Sequence, residues 1–114
     1  MTVLQNGVSP APAVLEVIRG MTYRCSFRWF ANEAETVALN LTGVTVTLTV
    51  VGLFTLTVGN GLTVNAAAGT CAVKIPPALS RGVQLDQAHF YITFEENSEE
   101  VAPPVAGTMT FTNP

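Results

Sequence analysis

Two stretches of the chain, Thr22 to Phe30 and Val44 to Phe54, alternate apolar and polar residues with a period of two, and threonine is the commonest polar partner. Successive side chains of an extended strand point to opposite faces, so this pattern specifies strands with one face in a core and the other outside. In the first stretch Tyr23, Cys25, Phe27 and Trp29 share the core face, while Thr22, Arg24, Ser26 and Arg28 share the other. In the second, Val44, Val46, Leu48 and Val50 oppose Thr45, Thr47 and Thr49, a β-branched content that disfavours helix.

Further strands are expected at Val14 to Arg19, Leu62 to Asn65, Thr70 to Ile75, His89 to Glu96 and Val105 to Thr112. Phe54, Leu56 and Val58 align before Gly59-Asn60-Gly61, which reads as a hairpin turn because Asn and Gly tolerate positive φ. Ala78 to Gln87 has room for one or two helical turns. Seven or eight short strands punctuated by Gly and Pro predict an all-β, antiparallel β-sandwich. A chain of 114 residues suits one such domain. Residues 14–114 are assigned to it. Residues 1–13, with Gly7, Pro10 and Pro12 among small side chains, read as an extended N-terminal arm.

The inventory of reactive side chains is thin. Only 11% of residues are charged, against roughly 25% in an average soluble protein, so the exterior is unusually poor in ions and suits burial against other proteins. Arg19, Arg24, Arg28, Lys74 and Arg81 are scattered along a chain of net charge −3, which argues against nucleic acid as a partner. The longest apolar run, Val50 to Phe54, is far short of the about 20 residues needed to span a bilayer. With no recognisable secretory signal at the start, a soluble, cytosolically made protein is expected. Cys25 and Cys71 fall on inward faces, where buried free thiols are the commoner outcome in a reducing compartment and a disulfide the rarer one.

His89 alternates with Tyr91, Thr93 and Glu95, opposite Phe90 and Ile92, without an evident orienting group or substrate pocket. Glu95, Glu96, Glu99 and Glu100 surround Asn97-Ser98, but the segment lacks the Asp and Gly of a calcium loop and reads as a solvated hairpin tip. Repulsion among its carboxylates would discourage unwanted edge pairing. No phosphate-binding loop, Cys/His metal spacing or nucleophile motif is present. Neither an enzyme nor a cofactor is expected. Trp29 follows the inward aromatics, which favours a core role over an exposed sugar-stacking one.

The order of Val17-Ile-Arg-Gly-Met-Thr-Tyr-Arg-Cys-Ser-Phe-Arg-Trp29, Leu41-Thr-Gly43, Gly61-Leu-Thr-Val64, Ala67-Ala-Gly-Thr70, Phe90-Tyr-Ile-Thr-Phe94 and Gly107-Thr-Met-Thr-Phe111 resembles small immunoglobulin-like β-sandwich proteins of tailed-bacteriophage virions. The resemblance implies an immunoglobulin-like sandwich and a structural role in heads, tails or baseplates. A capsid decoration or cement subunit is the leading expectation, made in the host cytoplasm and ending in the virion. Its expected partners are the major capsid protein, other virion proteins and further copies of itself. A tail or baseplate accessory subunit is the nearest alternative, and a receptor- or carbohydrate-binding module the next. Val3, Leu4, Val8 and Pro10 are the candidate partner-binding residues, because apolar side chains on a terminal arm have no local core to join.

Overall fold

The computed structural model describes residues 2–5, 14–31, 34, 36–97 and 99–114. Among the described residues, nine strands and one short helix follow in chain order: β1 (Thr2–Gln5), β2 (Val14–Ile18), β3 (Tyr23–Phe30), β4 (Thr45–Val50), β5 (Phe54–Val58), β6 (Gly61–Asn65), β7 (Thr70–Ile75), α1 (Pro77–Arg81), β8 (Gln87–Glu96) and β9 (Glu99–Thr112). Hydrogen bonding runs through all nine in the order β1-β3-β7-β6-β5-β4-β8-β9-β2. The ends of that order come from the same N-terminal segment.

Ring contacts show how the sheet is folded. Trp29 on β3 meets Phe94 on β8 edge to face at 4.9 Å, although four strands separate β3 from β8 in the hydrogen-bonded order. The sheet therefore doubles back, so that β1-β3-β7-β6 forms one layer and β5-β4-β8-β9-β2 the other. The alternating faces meet between them: Cys25, Phe27 and Trp29 from β3, Val46, Leu48 and Val50 from β4, and Phe90, Ile92 and Phe94 from β8 are all buried. β3, β7 and β6 facing β4, β8 and β9 is the immunoglobulin-like arrangement. Its first strand is split, β1 joining one layer and β2 the other. The all-β sandwich expected from the pattern is the fold that forms, with the strand count raised to nine by Thr2–Gln5.

The pairing is not wholly antiparallel. β2 runs parallel to the last third of β9, from Val14 opposite Thr108 to Ile18 opposite Thr112. β5 and β6 also meet in parallel, across only Thr57–Gly61 and Val58–Leu62. Gly59-Asn60-Gly61 is thus a corner and not the hairpin turn its composition suggests. True parallel neighbours need a crossover of a dozen or more residues, whereas here a short turn lifts the chain from one layer to the other. The Gly59 N–H donates to the Leu62 carbonyl and the Asn60 N–H to that of Thr57. Gly61 has φ +100°, and a Cβ there would lie 2.7 Å from the Leu56 side chain, so the corner closes over the core only with glycine. The same corner takes Val58 out of line with Phe54 and Leu56: it is 54% exposed.

α1 is a single turn with Pro77 at its start. Buried Ser80 ties it to the β2–β3 turn by accepting from the Gly20 N–H at 3.1 Å and donating to the Pro77 carbonyl at 3.4 Å. Among the described residues no helix is long and apolar enough to cross a membrane.

Candidate docking surfaces

The outer face of the five-stranded layer carries the threonines. Thr47 lies opposite both Thr57 and Thr93, and Thr49 opposite Thr55 and Tyr91. His89 faces Thr108 and Tyr91 faces Ala106 on β9. These residues are exposed or half-buried, and together they make a largely uncharged hydroxyl and methyl surface, whose acids among the described side chains include Glu16 on the edge strand and Glu95 near the hairpin tip. Thr residues directly opposed across strands are among the pairs that favour sheet pairing. Such a face can bury against another protein with little desolvation of charge. Among the described residues no group of three or more His, Cys, Asp or Glu is placed to hold a metal.

The outer face of the four-stranded layer differs in charge. The register places Arg24 directly opposite Lys74, Ser26 opposite Ala72, and Arg28 opposite Thr70. Cations scattered along the sequence are therefore gathered in space, three of them on one sheet face. A cleft of about 290 Å³ beside Arg24 and Lys74 is bounded by Gly59, Gly61 and Thr63. Arg24 and Lys74 stand in the polar phase of their strands and are readable as exposed, but only the β3–β7 register makes them neighbours. Arg28 lies with its guanidinium carbon 5.0 Å from the centre of the Phe30 ring, a cation–π contact.

Arg19 has a structural task that its sequence position did not disclose. Its guanidinium donates to the carbonyls of Val83 (2.8 Å) and Leu85 (2.7 Å), to Asn113 Oδ1 (3.0 Å) and to Asp86 Oδ1 (3.1 Å). One side chain thus fastens the end of β2, the α1–β8 connection and the C-terminal residues together.

Of the partner-binding candidates, Val3 and Leu4 lie on β1, opposite Trp29 and Arg28. Val8 and Pro10 fall outside the described residues. The four Glu residues sit where the reading placed them, at the tip of the β8–β9 hairpin, with Glu95 opposite Glu100 and Glu96 opposite Glu99. Asn97 turns the chain there with φ +52°, a conformation Asn adopts more readily than most residues. Trp29 is fully buried, stacked on Phe27 at 5.9 Å.

Cys25 and Cys71 are buried free thiols on paired strands, Cys25 opposite Val73 and Cys71 opposite Phe27, so they are diagonal neighbours on the core face. Burial pushes the Cys71 thiol up to about 12, with a contribution from Cys25, and that of Cys25 up to about 11, opposed in part by a hydrogen bond with Tyr23. The Tyr23 hydroxyl is raised above the usual tyrosine range by burial and then by Cys25. All three groups remain neutral near pH 7, and the thiols are protonated and shielded from reagents.

No protein-family model matches the chain, and no curated protein matches it in sequence. Among solved structures, a chain from "Structural basis of T cell specificity and activation by the bacterial superantigen toxic shock syndrome toxin-1" is similar at 11% identity. It has a TM-score of 0.45, covering 99% of this chain and 98% of that one.

Proposed function

We propose that this protein is a non-enzymatic structural subunit of a tailed-bacteriophage virion, a capsid decoration or cement protein that binds repeated sites on the assembled shell. The observation that supports this reading is the Thr-covered outer face of the five-stranded layer. A rigid sandwich presents it as a preformed, weakly charged surface, so docking requires little reordering of side chains. On a lattice of equivalent sites, contacts that are individually weak become sufficient when each subunit touches several neighbours. The virion assignment rests on the resemblance of residues 16 to 112 to small phage sandwich proteins.

The test is co-sedimentation of the purified protein with assembled shells, repeated with Thr55→Glu/Tyr91→Glu and with a chain lacking residues 2–12. Retention by the wild type and loss with the charged face supports the reading. Loss on deletion of residues 2–12 alone would move the attachment to the N-terminal segment, and no co-sedimentation of the wild type removes the shell as partner. Localisation in intact particles by electron microscopy distinguishes a head from a tail or baseplate position.

A further inference from the structure

Charge is unevenly distributed along the molecule. The end of β3 at Trp29–Phe30 is joined to the β8–β9 tip through the loop that follows it: the Leu39 N–H donates to the Trp29 carbonyl, and Gly43 lies against the Glu96 carboxylate. Arg24 is six residues back along the same strand, a distance of roughly 20 Å at the usual rise per residue. Lys74 sits beside it at the end of β7, and Arg19 and Arg81 follow at the same end, where Arg81 approaches Gly20. Four of the five cations therefore occupy one end of a body 39 Å long, and four of the eight acids the other.

Each cluster is unfavourable by itself. Arg24 and Lys74 are exposed, directly opposed cross-strand neighbours, and among the described residues the only ion pair belongs to Arg19 and Asp86. Glu96 and Glu99 are likewise exposed and directly opposed. Like charges in that relation destabilise a sheet. The two ends complement one another in sign, and in form they are a narrow two-stranded tip and a cleft of about 290 Å³ whose rim carries the cations.

We propose that the acidic β8–β9 tip of one copy docks at the Arg24–Lys74 cleft of the next, so that the protein associates head to tail with itself. The occupant is a second copy because the complementary charge is built into the opposite end of the same chain, and one contact relieves both repulsive pairs. Joining different surfaces of identical subunits makes the contact heterologous, and it propagates as a ring or an open chain. This inference does not depend on the virion assignment, since it concerns the protein alone.

Sedimentation velocity on the purified full chain tests it. The wild type is expected to show a sedimentation coefficient that rises with concentration at low salt and returns to the monomer value by about 0.5 M salt, where the screening length is only a few ångströms. Arg24→Glu/Lys74→Glu and Glu95→Lys/Glu96→Lys/Glu99→Lys should each be folded by circular dichroism and monomeric, and an equimolar mixture of the two should associate again. Carbodiimide cross-linking of the wild type provides a readout without substitution: intermolecular Lys74–Glu96 or Lys74–Glu99 bonds, lost at high salt. A wild type that stays monomeric at low salt overturns the proposal, as does a mixture of folded variants that fails to associate. Binding of heparin by a monomeric wild type overturns it too, in favour of another polyanion at the cleft.

Discussion

Gly69 shows how one residue can carry the meeting of three segments. It has φ +65°, and a Cβ on it would stand 2.6 Å from the Leu39 carbonyl oxygen and 2.8 Å from that of Trp29. Its own carbonyl accepts from the Trp29 N–H at 2.8 Å. Gly69→Ala combines backbone strain with a clash and is expected to cost about 2 kcal/mol or more, read as a lower urea midpoint. Trp29 beside it is the largest fully buried side chain, and its Nε1 has no hydrogen-bond partner among the described residues. Its fluorescence should be blue-shifted in the folded state and unaffected by sugars. Truncation to Ala should cost about 4 kcal/mol, whereas Trp29→Phe keeps the stack, removes the orphan donor and should cost less than half as much. The thiols set an alkaline limit. An unfolded cysteine ionises near 9, while Cys25 and Cys71 hold their protons to about 11 and about 12. Above pH 9 the unfolded state thus binds fewer protons than the folded state, and stability present below pH 9 is lost progressively between 9 and 12. Urea midpoints measured across that range should fall, less steeply for Cys25→Ala/Cys71→Ala.

At the scale of elements, the sandwich is secured at the end opposite the hairpin by polar groups that strand periodicity does not describe. Arg19 is the chief of them, holding two carbonyls, Asn113 and Asp86. Replacing it by Ala leaves the buried Val83 backbone without its donor and is expected to cost about 2–3 kcal/mol, the range for hydrogen bonds to a charged group. Amide exchange should then quicken in β2 and along Thr108–Thr112 before it does in β3 or β4. Ser80 makes a smaller version of the same tie, and Ser80→Ala should cost about 1 kcal/mol. The β9 strand is also longer than its partner on one side: β2 covers Thr108–Thr112, while among the described residues Glu99 to Gly107 pair only with β8 on the other. That stretch contains Pro103 and Pro104, which have no N–H to offer a foreign strand, and the β8–β9 register slips beside them. Proline and an irregularity are two common protections of an exposed edge.

For the molecule as a whole, the alternation of Tyr23–Phe30, Val44–Val50 and His89–Glu96 was enough to assign the inner and outer faces. Burial depends on the parity of a residue within its own strand, a local property. The hairpin tip at Asn97 was legible for the same reason, because its turn joins strands adjacent in the chain. The β5–β6 corner was misread as a hairpin: Gly-Asn-Gly permits positive φ, but whether the chain then returns in its own layer or climbs to the other is decided by the core beneath Leu56 and Leu62. The N-terminal segment was read as a single extended arm, and within it Thr2–Gln5 pairs with β3.

Period-two patterning with threonine outside and aromatics inside determined by itself that this protein is all-β, which side chains form its core, and that its exterior is poor in charge. Only the tertiary structure decided which outward residues become neighbours. Arg24 and Lys74 are 50 residues apart in sequence and directly opposed in space, and the same is true in kind of Thr49 and Tyr91. The physical reason is that a strand's faces follow from its own covalent geometry, whereas register and strand order follow from the joint packing of all the inner faces, which no single segment encodes.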